Sequence, residues 1–469
     1  MNNTSLDAAQ HANPASDEIA SSPTKRDVVH ADQDGQQPSH RPDARSRGPI
    51  GGIVAGSLAA GPVAAALLVA APFIPPTEAA VTGAVLGGLA VGWAMLALLS
   101  VRFTDQPQRW AAAPALFMGI SGLLLITFGS TVHEVLTWVW PPVLLALVIW
   151  MVLRARRQLR SRTRRSLLYP VLAVLALASA GGGYQTVREA AEARAYPPPG
   201  QLIDVGGHRL HLSCTGTGSP TVVLEPGAGM KSSDLEWVTP AVARDTRVCA
   251  YDRAGRGWSD PANTPQDATQ IATDLHTLLD RGHIPGPYVL AGHSFGGLYT
   301  LTFAARYPDD VAGMVLVDST APAPAPGSTA KPTTRPSDEG SYDLSGRVSA
   351  LVSISARLGL GRLIGQPTAS ALGSTVDEYA LGNSSAKQAA SLRDFADKPL
   401  VVLTAGVGSD ADKLAKHDAL ARLSSNSLHR VIEGADHPGM IVDEAGAAAT
   451  TRAILDVVTS VQTSRPLAR

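Results

Sequence analysis

Cysteine is nearly absent from this chain: two stand among 469 residues, and the 12 histidines are scattered. No spacing among them suits a metal ion, so no metal centre is expected. Glycine is plentiful, yet no glycine-rich phosphate cradle occurs, and no nucleotide or other cofactor is expected. The formal net charge of -1 argues against affinity for nucleic acid. Large apolar groups are almost missing from residues 1–49, where Asn, Asp, Gln, Ser and His dominate. Such a stretch buries too little surface to offset its ordering entropy, which predicts a disordered cytoplasmic tail. Because the first apolar run starts only at residue 50, no cleavable signal peptide is expected.

Charge is what the next stretch lacks. Five apolar segments, 51–75, 79–101, 111–132, 135–153 and 166–184, contain no Asp, Glu, Lys or Arg. A helical span needs about 20 apolar residues to cross roughly 30 Å of hydrocarbon. Buried helices of a soluble protein would keep a polar face, which these runs do not have, so residues 50–184 are expected to form a five-helix transmembrane region. Arginines fall in alternate loops, all on one side of it. Arg41, Arg45 and Arg47 precede the first span, and Arg102 and Arg109 separate the second from the third. Arg154, Arg156, Arg157, Arg160, Arg162, Arg164 and Arg165 separate the fourth from the fifth. The intervening loops carry no Lys or Arg. Positive loops stay in the cytoplasm, which puts the N-terminus inside and the C-terminal domain on the extracytoplasmic side of the cell membrane. Cys214 and Cys249 both fall in that outer domain, where a disulfide persists. Two buried free thiols are the alternative.

Residues 185–200 read as a linker: a short charged helix, Val187 to Arg194, then Pro197, Pro198 and Pro199 as a stiff spacer. Beyond it, over 201–469, strands alternate with helices. A hairpin around Gly206 and Gly207 precedes strands at 220–225, 246–251, 287–291, 313–317, 399–404 and 428–432. Helices are predicted near 235–244, 266–281, 295–307 and 443–460. This alternation implies a mostly parallel sheet with helices on both faces. One long interruption, about 319–397, stands between two sheet strands and is predicted to be a lid over their carboxyl ends.

Gly292-His293-Ser294-Phe295-Gly296 falls between an apolar strand, Tyr288 to Ala291, and the helix that follows. A serine on so tight a turn is forced into a strained backbone conformation with its hydroxyl proud of the sheet. The flanking glycines are needed because side chains there would collide with neighbouring backbone. Three further motifs accompany it in order: Leu224 to Gly229, Asp252 to Asp260, and Ala435-Asp436-His437. On these residues, 200–469 resembles the α/β-hydrolase fold family. The oxyanion loop of that family usually begins His-Gly, whereas this sequence has Pro226-Gly227; a loop that works through backbone N–H groups tolerates the change.

The resemblance implies Ser294 as nucleophile and His437 as its base, since a hydroxyl needs an adjacent base near neutral pH. It allows two positions for the acid: Asp318 at the end of strand 313–317, or Asp410 or Asp412 after strand 399–404. Asp318 is favoured because a rigid strand end orients an imidazole better than a glycine-rich loop. The backbone N–H groups of Phe295 and Ala228 are the implied oxyanion hole. His293 is expected to point into the fold, and His208, His211 and His429 to be structural, with His417 an outsider. Asp252 and Trp258 read as shaping the loop beneath the pocket.

Two functional classes follow. The first is a membrane-anchored serine hydrolase, chiefly for esters, with a small ester or acyl substrate, lipid-derived ones among the candidates. An acyltransferase or peptidase uses the same triad. The second is a binding or sensor membrane protein with a hydrolase-like outer domain. No intramembrane ionisable residue marks a transport path, which weakens that second class.

Overall fold

The computed structural model describes residues 50–158, 162–262, 264–323, 339–360 and 368–468. The expected tail, three residues of the arginine-rich loop and the Pro/Ser/Thr-rich opening of the lid lie outside them.

Five long helices come first: α1 (Ile50–Ala70), α2 (Glu78–Phe103), α3 (Ala112–Phe128), α4 (Ser130–Gln158) and α5 (Arg162–Ala195). Each of the five apolar segments is long and apolar enough to cross a membrane. They bury Trp93, Leu96, Met118 and Leu144 against one another. Close packing depends on small residues: a Cβ at Gly88 would stand 2.1 Å from the backbone N of Ala65, so α1 and α2 touch backbone to backbone. Their outer faces are bare, with Leu98 70% and Leu177 71% exposed. Exposed apolar surface costs about 25 cal/mol per Å² in water, a penalty that lipid removes.

The last helix departs from expectation. No separate charged helix forms in the linker, because α5 runs unbroken from Arg162 to Ala195. Charges end the apolar run without ending the hydrogen-bond ladder, since Ala, Glu and Arg are good helix formers. Arg188 and Glu192, one turn apart, pair at 3.2 Å along this stretch.

An eight-stranded sheet follows, with β1 (Gln201–Asp204), β2 (Arg209–Thr215), β3 (Thr221–Glu225), β4 (Val248–Tyr251), β5 (Tyr288–His293), β6 (Val311–Val317), β7 (Leu400–Ala405) and β8 (Ser427–Ile432). Their order is β1-β2-β4-β3-β5-β6-β7-β8. The β1–β2 and β2–β4 pairs are antiparallel, and the remaining neighbours are parallel. Alternate residues serve opposite faces. Val222, Leu224, Val289 and Val315 join one core, while Val223, Leu290, Met314 and Leu316 join the other. The first half of the domain adds α6 (Val238–Val242), α7 (Ala268–Arg281) and α8 (Phe295–Arg306).

Between β6 and β7 the chain forms α9 (Glu339–Arg357), α10 (Ala369–Ala380) and α11 (Gly382–Ala389). This lid grips the apolar bundle. Arg347 donates to the carbonyls of Ala71 at 3.1 Å and Ile74 at 2.9 Å, and also to that of Val69, closing the C-terminal end of α1. Arg357 pairs with Glu78 at the start of α2. After the lid come α12 (Ala411–Ala421), α13 (Gly439–Val442) and α14 (Glu444–Thr463), which complete the two faces.

Cys214 and Cys249 face each other across the antiparallel β2–β4 pair and form a disulfide. The closed loop spans 35 residues. In the chain-entropy model a loop of that length stabilises by about 4 kcal/mol. Replacing both cysteines by serine should lower the thermal midpoint of the purified protein accordingly; an unchanged midpoint would show that the closed loop adds nothing.

Candidate active site

Ser294 joins β5 to α8 at φ 55° and ψ −122°, a conformation that L-residues rarely adopt. The glycines on either side permit it. A Cβ at Gly292 would stand 2.5 Å from Thr300 Oγ1, and one at Gly296 would stand 2.3 Å from the Glu225 carbonyl oxygen. No larger residue fits at either point.

His437 follows β8 and reaches the serine, its Nε2 lying 2.9 Å from Ser294 Oγ. Its other nitrogen, Nδ1, lies 2.5 Å from Asp318 Oδ2. A carboxylate only accepts, so Nδ1 carries the proton and Nε2 is left to accept from the hydroxyl. Asp318 ends β6, and its side chain is fully buried. Burial alone would raise its pKa. Hydrogen bonds from His437, Lys413 and the Ala405 N–H, together with the Lys413 charge, instead hold it well below the usual carboxylate range. The Lys413 ammonium sits 2.7 Å from Asp318 Oδ1 and had no motif to announce it. The structure therefore brings Ser294, His437 and Asp318 together. Asp410 and Asp412 stand apart: Asp410 caps α12 through the Lys413 N–H at 2.8 Å, and Asp412 pairs with Lys416 at 2.5 Å.

The loop after β3 lies against the elbow, since a Cβ at Gly227 would come 3.2 Å from Ser294 Cβ. Phe295 opens α8, so its N–H has no intrahelical acceptor. Tyr379 of α10 packs on the Phe295 ring, with centroids 5.5 Å apart. A cavity of about 540 Å³ opens between the lid and the bundle, with Arg253 and Glu378 on one wall and Glu78 and Arg357 on another.

The remaining histidines take several roles. His211 is buried between Asp252 and the Pro199 carbonyl, at 2.9 Å from each. His208 pairs with Asp274, and His417 and His429 share the Thr404 hydroxyl. Asp252 also receives the N–H groups of Ser232 and Trp258, which shapes its loop. His293 is buried but does not turn away from the site. Its ring stacks 4.7 Å from that of His437, and its Nε2 donates to the His437 carbonyl at 3.0 Å. Its Nδ1 is buried without a partner.

Protonating that nitrogen would bury a lone donor. Burial, and then the neighbouring His437 charge, push the His293 pKa down to about 4. An unfolded histidine titrates near 6.5, so between about pH 6.5 and 4 only the unfolded chain takes up this proton. The folded state should lose stability as pH falls through that window, by up to about 3 kcal/mol. A His293→Gln chain should lack this component, giving a flatter plot of melting temperature against pH. Parallel curves for the two proteins would refute it.

Residues 220–375 match the family described as the alpha/beta hydrolase fold. Among curated proteins, an uncharacterized protein of Schizosaccharomyces pombe is 34% identical over 151 residues, 26% of this chain and 28% of that one. A 2-(acetamidomethylene)succinate hydrolase of Mesorhizobium japonicum is 32% identical over 121 residues, 25% of this chain and 42% of its own. The chain thus spans less than half the length of these relatives. Among solved structures, a thermophilic esterase from Thermogutta terrifontis aligns over 55% of this chain and 97% of its own, at 22% identity and TM-score 0.42. With the matched segment carrying the elbow and the sheet built around it, the C-terminal part of this chain has the α/β-hydrolase fold, preceded by five long apolar helices.

Proposed function

We propose that the chain is a membrane-anchored serine hydrolase that cleaves esters through Ser294, His437 and Asp318. The observation that carries this reading is the hydrogen-bonded relay from Ser294 Oγ through His437 to Asp318. In the proposed cycle, His437 Nε2 takes the hydroxyl proton while Oγ attacks the substrate carbonyl. Asp318 stabilises the imidazolium and keeps its orientation. The oxyanion of the tetrahedral intermediate accepts from the N–H groups of Phe295 and Ala228, each such donor being worth about 3–4 kcal/mol in the barrier. Collapse expels the alcohol, which takes the proton from Nε2, and water then repeats the sequence on the acyl-enzyme. His437 is 47% exposed, which leaves it open to water and substrate.

The five apolar helices support insertion in a bilayer, and the arginine-rich loops support an extracytoplasmic catalytic domain. A disulfide in that domain favours the same side, since cytosolic thiols are kept reduced. The bilayer makes apolar acyl substrates the leading class.

Intact cells treated with a membrane-impermeant fluorophosphonate should label the native chain and spare Ser294→Ala. Asp318→Asn should lower kcat by about 10⁴ by leaving His437 in the wrong tautomer. Labelling only after lysis would overturn the orientation. A native chain unlabelled in both states would refute the hydrolase and leave the binding or sensor protein.

A further inference from the structure

Arg253 follows β4 and is 4% exposed, yet every arm of its guanidinium is engaged. Nη1 donates to Glu225 Oε1 at 2.7 Å and to the Pro226 carbonyl at 2.8 Å. Nη2 donates to the Gly227 carbonyl at 2.7 Å, and Nε to Glu378 Oε1 at 2.8 Å. Glu378 lies on α10 and is equally buried. Its Oε2 accepts the Gly229 N–H at 2.7 Å and Arg256 Nη2 at 3.0 Å.

These contacts hold the loop after β3 by its carbonyls. The Gly227–Ala228 peptide is trans, so its C=O and N–H point in opposite directions within one plane. With the Gly227 carbonyl turned onto Arg253, the Ala228 N–H is turned away from the guanidinium. Gly227 itself lies against Ser294, where an added Cβ would stand 3.2 Å from the serine Cβ. A cation on the carbonyl end also polarises the peptide and strengthens its N–H as a donor. Stability alone does not account for the cluster, because desolvating buried ions offsets most of their attraction.

We infer that Arg253 and Glu378 are positioning residues of the oxyanion hole. Arg253 fixes the plane of the Gly227–Ala228 peptide, and Glu378 fixes Arg253 and the Gly229 N–H from the lid. The inference rests on the serine-hydrolase reading and adds to it that the lid helix α10 is part of the oxyanion machinery.

The test uses the full-length chain in detergent, with p-nitrophenyl butyrate as substrate and an alkyl trifluoromethyl ketone as a mimic of the tetrahedral oxyanion. Arg253→Lys keeps the charge but cannot reach both carbonyls and Glu378 at once. Glu378→Gln keeps the shape but replaces one accepting oxygen by an amide NH2, so it loses a hold on either Arg253 or the Gly229 N–H. Loss of an oxyanion donor lowers kcat by about 10²–10³, and Arg253→Lys should approach that range. Glu378→Gln should fall by about tenfold, with KM changed less than about twofold in both. Affinity for the ketone should fall in proportion to kcat, a change that general loosening of the fold would not produce. Should Arg253→Lys fail to fold, Glu378→Gln carries the test.

Folded variants with native kcat, or with reduced kcat and unchanged ketone affinity, would overturn the inference. So would unfolding of both, which would make the cluster a folding element. A native chain that neither reacts with fluorophosphonate nor cleaves the ester would remove the hydrolase reading and this inference with it. A reactive native chain with unaffected variants would remove this inference alone.

Discussion

A Cβ on Gly296 would stand 2.3 Å from the Glu225 carbonyl oxygen, and the geometry of the site grows from that contact. It requires α8 to start against the end of β3, which is possible because β3 and β5 are parallel neighbours in the sheet. The turn from β5 into α8 must then be tight, which sets Ser294 at φ 55°. The loop after β3 runs beside the serine, with Gly227 against it. β6, the next strand across, delivers Asp318 at its own end. Strain at one serine is held by packing on every side, which is how such strain persists.

Behind this turn lies a cluster of opposite design. The elbow is a place of contact between bare backbones, whereas Glu225, Arg253, Glu378 and Arg256 are charged groups taken out of water. The two meet in the loop 226–229, which turns a glycine face to the serine and carbonyls to the arginines. A helix of the lid supplies one of the four charges, so lid and loop are joined by more than apolar packing.

Much of this was legible in the sequence. Glycines two before and two after a serine state a steric requirement, and the alternation of strands and helices states the layer order. Asp318 could be preferred over Asp410 because a strand end is a firmer platform than a glycine-rich loop, and the structure sets Asp318 beside His437 while Asp410 caps a helix. What escaped were contacts between distant segments with no motif of their own. Arg253 meets Glu378 across 125 residues, and Arg347 meets Ala71 across 276. His293 was expected to point away into the fold, a rule for elbow neighbours that fails here because its ring lies beside His437 and bonds the His437 carbonyl. The boundary of α5 was placed too early because charge was read as the end of a helix, when it marks only the end of an apolar face.

That unbroken helix acts as a ruler and a clock. An α-helix advances about 1.5 Å and turns about 100° per residue, so everything beyond Ala195 has a height and an angle set by residue count. Arg347 and Arg357 find the ends of α1 and α2 only at one setting of that angle. One residue inserted near Arg188 would swing the domain about a quarter-turn and uncouple the lid from the bundle, while four would raise it about 6 Å with the angle nearly restored. Angle and height, which a flexible tether would leave free, are here written into the length of one helix.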